Sequence, residues 1–197
     1  MRHRTRQLEL RFHRRGGARP NAGRKPNGEK AGVSHLRRLR FARVMPVHVT
    51  MRVASHVYNL RSRRSFSVIA RAIAKASERF GVRIVQFSVQ GNHLHLVVEA
   101  AATEALSRAM QGFSIRVAKG LNAMMNRRGR VLADRYHARP LRTPTEVRRV
   151  VAYVRHNHRK HVPDVPVSYV DPYGSDAGRV ALPRPHTWPL RVTLRPP

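Results

Sequence analysis

Four residues have types and spacings that could do chemistry together: His93, His95, Tyr153 and Asn157. The histidines stand in "QGNHLHLVVEA", residues 90–100, an otherwise apolar run that reads as a strand. Positions two apart in a strand share a face, so both imidazoles project together while Leu94 and Leu96 point the other way. Tyr153 and Asn157 are four apart in a helical pattern, one turn from each other. Two imidazole nitrogens and an amide oxygen form a mixed shell with open positions, suited to Mg²⁺ or Mn²⁺ that must also hold phosphate oxygens. Imidazole favours Mn²⁺ in affinity, and cellular supply favours Mg²⁺. An ion there would polarise a scissile phosphate. A phenol with an ordinary pKa near ~10 becomes a nucleophile where cationic charge favours its phenolate. Attack by Tyr153 would give a phosphotyrosine, which keeps the bond energy that hydrolysis discards.

Each of these residues also has a plainer reading. The chain has 12 histidines, so pairs arise by chance on solvated sheet faces. A tyrosine on an amphipathic helix is ordinarily core with its hydroxyl at the edge. Tyr136, in "DRYHAR", is the rival nucleophile, and Asp134 beside it could act as an acid or pair with a neighbouring arginine. His156, His158 and His161 crowd the turn that carries Asn157 and could compete for an ion.

The elements that must position these residues follow from periodicity. "MPVHVTMRV" from Met45 alternates Val47, Val49, Met51 and Val53 and predicts the first strand. Residues 65–81 read as a helix, with Ser65 as cap, Val68, Ile69, Ala72, Ile73 and Ala76 on one face, and Gly81 as stop. Residues 82–90 and the histidine segment read as two strands joined at Gly91-Asn92. A second helix is expected over 103–126, capped by Thr103, with Leu106, Met110, Phe113, Ile115, Val117 and Leu121 apolar and Arg108, Arg116 and Lys119 polar. Residues 129–143 suggest a short strand. Thr143 and Pro144 then open a third helix seated by Val147, Val150, Val151 and Val154. The order β-α-β-β-α-β-α predicts an α+β, ferredoxin-like antiparallel sheet with helices packed on one face and basic tails at either end.

The balance of 40 Lys and Arg against 10 Asp and Glu leaves a formal charge of +30, which calls for a polyanionic partner, nucleic acid first. No apolar run approaches the ~18 residues of a membrane span, and no lipidation signal is evident, so membrane binding is not expected. The absence of cysteine excludes disulfides and thiolate zinc sites. Three regions are expected: a basic flexible arm over 1–44, a domain over 45–163, and a proline-rich irregular C-terminal tail over 164–197 that is wrapped or disordered. In the arm, "GARPNAGRKPNG" resembles the core of AT-hook segments, making Arg19, Arg24 and Lys25 candidate DNA contacts. Arg127, Arg128 and Arg130 form a basic turn, and Arg135 and Arg139 flank Tyr136, so all five are further candidates for phosphate contact.

The quoted motifs carry a family resemblance. "NHLHLVV" resembles the His-hydrophobic-His strand of the HUH single-tyrosine transposases, and "GRVLADRY" with "VVAYVRHN" is similar to their downstream region. The likeness is strongest to the REP-associated tyrosine transposases and covers about residues 45–163. It implies His93 and His95 as the metal pair, Tyr153 as nucleophile and Asn157 as third ligand. It further implies a divalent metal, single-stranded DNA hairpins as substrate, a 5′-phosphotyrosine link and a free 3′-hydroxyl. Relatives commonly carry Asn-Pro where this chain has Asn157-His158, which leaves the helix end less defined. The expected function is metal-dependent cleavage and joining of single-stranded DNA by a monomer or homodimer in the cytoplasm, associated with the nucleoid. Two alternatives remain: a non-catalytic basic nucleic-acid-binding protein derived from a transposase, and a metal nuclease that uses water.

Overall fold

The computed structural model describes residues 40–160, 164–166 and 168–194. Arg19, Arg24 and Lys25, with the rest of residues 1–39 of the expected arm, lie outside the described residues, as does His161.

The elements run in the order β1 (Met45–Arg52), α1 (Arg63–Ala76), β2 (Glu78–Arg79), β3 (Val82–Val89), β4 (His93–Ala100), α2 (Thr103–Met124), β5 (His137–Pro140), α3 (Pro144–His156) and α4 (Trp188–Thr193). Among the described residues five strands form one antiparallel sheet in the order β2-β3-β4-β1-β5. Setting aside the two-residue β2, this is the strand order of a ferredoxin-like sheet, and the α+β class stands.

Alternation decides what each face buries. Val47, Val49 and Met51 of β1 and Leu94, Leu96 and Val98 of β4 join one core with Phe66, Ile69 and Ile73 of α1 and Met110, Phe113 and Leu121 of α2. In β3 the apolar pattern slips from Val82 and Ile84 to Phe87 and Val89, an odd spacing that a regular strand would split between faces. A register shift between Ile84 and Gln86 absorbs the extra residue, so all four stay in this core. The first two helices meet closely at Gly120, where an added Cβ would lie 2.4 Å from Val68 Cγ1.

The helices do not all share that face. Val147, Val151 and Val154 of α3 pack with Val85, Val97 and Leu141 in a second core, with Leu190 of α4. Val97 alternates with Leu96 and Val98 along β4, so α3 covers the opposite side of the sheet, the side of His93 and His95. The expectation of helices on one face therefore holds for α1 and α2 and fails for α3: its valine stripe needs apolar partners, and Val85 and Val97 supply them only on the far face.

Helix ends follow local chemistry. Ser62, not Ser65, caps α1, its side chain accepting from Ser65 N at 3.1 Å, and α1 stops at Ala76, ahead of Gly81. Thr103 does not cap α2; its hydroxyl accepts from Phe41 N at 2.9 Å, and Ile115 is exposed rather than buried. Thr143 caps α3 in a reciprocal box with Glu146, and Pro144 takes the first turn.

The segment after α3 is largely irregular yet tied to the sheet. The Asp171 carboxylate takes two bonds from Arg61, each 2.9 Å, and Val89 N donates to Tyr173 O at 3.0 Å. Further on, buried Glu99 accepts from His186 N at 2.8 Å, from Thr187 N at 2.6 Å and from Thr187 Oγ1 at 2.6 Å.

Candidate active site

The α3 face of the sheet carries a row of polar side chains where the opposite face carries valine and leucine. Cross-strand register sets Thr50 of β1 and Ser88 of β3 on either side of His95, and Arg52 opposite His93. His48, two residues before Thr50, falls on the same face. Its Nε2 lies 3.1 Å from His95 Nδ1, and Thr50 Oγ1 lies 3.2 Å from that same nitrogen. His93 Nδ1 lies 2.8 Å from Asn92 Oδ1; an amide oxygen only accepts, so Nδ1 carries the proton and the ring's lone pair is on Nε2.

Helix α3 brings Tyr153 to this row. Its ring meets His95 edge-on at 5.3 Å between centroids and His48 at 6.2 Å, while His93 and His95 stand perpendicular at 4.9 Å. Tyr153 keeps 39% of its surface exposed, enough for a substrate to reach it. Lys160 Nζ sits 4.6 Å over the tyrosine ring, placing a cation beside the phenol. Asn157 follows one turn later with helical backbone angles; its side chain is buried and Nδ2 has no hydrogen-bond partner among the described residues.

Burial governs the charge of this cluster. Loss of hydration, reinforced by electrostatic repulsion from His137 and Arg139, lowers the pKa of His48 from 6.5 to about 4. For His95 burial again leads, followed by His48, His93 and Lys160, and the pKa falls to about 3. Both are neutral near pH 7 and offer a lone pair rather than a charge.

The paired imidazoles of His93 and His95, with an amide oxygen one turn beyond Tyr153 on Asn157, are donors of the kind a divalent ion takes. Among the described residues the buried His95 Nε2 has no hydrogen-bond partner, as the ligating nitrogen of a metal-binding histidine would have none. Among the described residues no group of three or more His, Cys, Asp or Glu is placed to hold a metal.

Other candidates separate clearly. Tyr136 is buried in the α1/α2 core, its hydroxyl 3.4 Å from Ser107 Oγ, on the face away from the histidines. His158 is buried, Nδ1 donating to Arg155 O at 3.0 Å with its ring against Tyr169 at 5.3 Å, and so faces the C-terminal segment. His156 is exposed. Asp134 Oδ1 accepts from Arg135 N at 2.7 Å. Arg139, opposite His48 in the register, pairs with Glu146 at 2.8 Å. Arg135 is partly buried. The turn of Arg127, Arg128 and Arg130 borders the His93 end of the sheet, since Ala54 N donates to Val131 O and Val53 N to Asn92 O. Arg130 spends its guanidinium on the carbonyls of Leu132 and Ala133, while Arg128 is exposed.

His48, Thr50 and Lys160 join the site without having been predicted from residue spacing. The signal for the first two was present: they occupy the off-phase positions of a strand whose in-phase positions are all apolar.

A family model described as IS200-like transposase matches residues 44–157, more than half of the chain. Among curated proteins none matches. The fold is similar to that of a REP-associated tyrosine transposase solved bound to a REP hairpin, with a TM-score of 0.56 and 17% identity over 75% of this chain and 87% of that one. A putative transposase from Deinococcus radiodurans R1 aligns with a TM-score of 0.43 and 11% identity over 64% of this chain and 95% of that one.

Proposed function

The chain belongs to the IS200-like transposase family, and from that premise we propose that it cuts and rejoins single-stranded DNA beside a hairpin, with Tyr153 as nucleophile. One observation carries the reading: Tyr153 and His95 come from separate elements, α3 and β4, and meet edge-on at 5.3 Å. His93, His95 and Asn157 would hold Mg²⁺ or Mn²⁺. Bound there, the ion supplies Lewis-acid polarisation of the scissile phosphate and offsets charge on the displaced oxygen. The protein's own part is positioning. Neutral His95 and His48 pack against the tyrosine ring, and Lys160 places positive charge over it, where an incoming phosphodiester is attracted.

In the reaction the Tyr153 oxygen bonds to phosphorus as the bond from phosphorus to the 3′ oxygen breaks. The phenolic proton leaves to solvent, and the departing 3′ oxygen takes one up. The downstream strand stays linked to Tyr153 through its 5′ phosphate, the upstream strand leaves with a free 3′-hydroxyl, and the reverse step with another 3′-hydroxyl rejoins DNA with no bond energy lost. The hairpin on the similar solved structure supports a hairpin as the substrate here. The charge of +30 supports strong phosphate binding.

The test is incubation of the full chain with a labelled hairpin carrying single-stranded flanks, in Mn²⁺. Tyr153 chemistry gives a denaturant-stable protein–DNA adduct that Tyr153→Phe abolishes. Cleavage that survives Tyr153→Phe would mean a water nuclease, and hairpin binding without cleavage would mean a DNA-binding descendant of a transposase.

A further inference from the structure

His95 Nδ1 has two neighbours, both from β1: Thr50 Oγ1 at 3.2 Å and His48 Nε2 at 3.1 Å. A neutral imidazole has one proton to place. For buried Nε2 to offer a lone pair, that proton must sit on Nδ1 and be donated. The Thr50 hydroxyl oxygen can accept it, and so can His48 Nε2 when His48 carries its own proton on Nδ1. The rings of His48 and His95 lie nearly parallel, 24° apart with centroids 5.2 Å apart, so the contact constrains orientation as well as tautomer. His48 also stands edge-on to Tyr153 at 6.2 Å and so braces both groups.

Histidines that bind metals hold their second N–H on a fixed partner, which sets tautomer and ring angle. A carboxylate is a frequent partner; a neutral imidazole and a hydroxyl do the same without placing negative charge beside a site that must receive a phosphodiester. We infer that His48 and Thr50 are positioning residues that keep the His95 proton on Nδ1 and leave its Nε2 lone pair for the cation. The inference rests on the metal-assisted reading above; neither residue is assigned contact with DNA.

The experiment measures Mn²⁺ affinity of the full chain by calorimetry without DNA, and the His95 tautomer by ¹⁵N NMR of the metal-free protein. His48→Leu combined with Thr50→Val should weaken Mn²⁺ binding by about 10- to 100-fold. His48→Gln, whose amide oxygen can still accept, should recover most of that loss. Metal-free hairpin affinity should stay within about twofold, because neither residue is assigned to DNA binding. Wild-type His95 should show its proton on Nδ1, and the pair variant a mixture of tautomers. If the pair variant binds Mn²⁺ as wild type does while His95→Ala does not, the positioning role is overturned and the metal site stands. If His95→Ala also keeps its affinity, the metal site is wrong and the inference falls with it. Should the pair variant fail to fold, the wild-type tautomer decides: a proton on Nε2 overturns the inference, and one on Nδ1 upholds it.

Discussion

Lowering the pH from about 7.5 to about 5.0 should destabilise this domain through two side chains, His48 and His95. In the folded chain their pKa values are about 4 and about 3, against 6.5 for an unhindered histidine. The unfolded chain therefore binds protons as the pH drops below 6.5 while the folded chain does not, and stability falls with pH. The contribution is fully present above pH 6.5 and is lost between 6.5 and roughly 4 for His48, and down to roughly 3 for His95. At pH 5 the linkage relation gives about 2 kcal/mol for each imidazole, so about 4 kcal/mol together as an upper bound. That is a large part of the 5–15 kcal/mol typical of a domain. Urea unfolding at both pH values, at constant ionic strength with a chelator present, reads the loss directly. With a urea slope of about 2 kcal/mol per molar, a loss of that size lowers the midpoint by up to about 2 M. The double variant His48→Gln, His95→Gln controls for the other histidines and for general charge repulsion. Its loss between the two pH values should be smaller than that of wild type by about 2–4 kcal/mol. An equal loss in both proteins, within about 0.5 kcal/mol, would refute the reasoning, because the two rings would then not be held neutral by burial.

Three further outcomes are expected. Gly120→Ala drives a methyl group into Val68 Cγ1 at 2.4 Å and should cost about 1–3 kcal/mol in thermal or urea unfolding, with Val68→Ala restoring much of it in the double variant. Asp171→Ala leaves the Arg61 guanidinium without its buried partner, both residues being largely shielded, and should cost about 3–5 kcal/mol; hydrogen exchange should then rise around Tyr173 and Val89. Hairpin binding should weaken steeply with salt, a plot of log affinity against log salt having a slope of about −0.7 to −0.9 per phosphate neutralised, and Arg128→Ala should make that slope shallower by about one phosphate.

Much of the fold was legible because its signals are local. Alternation in β1 and β4, the valine stripe of α3 and the Thr143-Pro144 start each specify an element without help from elsewhere. The pairing of His93 with His95 and of Tyr153 with Asn157 needed only the periods of strand and helix. What could not be read depends on contacts between distant segments. The valines of α3 do not state which side of the sheet they will cover; Val85 and Val97 decide that once the register shift in β3 turns Val85 outward. His48 and Thr50 were visible as off-phase residues of β1, but only the register with β4 puts them against His95. Ser65 reads as a cap from its type, yet Ser62 three residues earlier has the extended backbone and the bond that capping requires. The bonds from Glu99 to His186 and Thr187 span 87 and 88 residues, beyond any pattern in a proline-rich stretch.

The most direct measurement is peptide mapping of the protein–DNA adduct. The full chain is reacted with hairpin DNA in Mn²⁺, digested with protease and nuclease, and the peptide bearing a residual nucleotide is sequenced by mass spectrometry. The nucleotide should be found on Tyr153, joined through its 5′ phosphate. A nucleotide on Tyr136 or any other residue, or DNA cut with no modified peptide at all, would contradict the convergence of β4 and α3 as the basis of strand transfer.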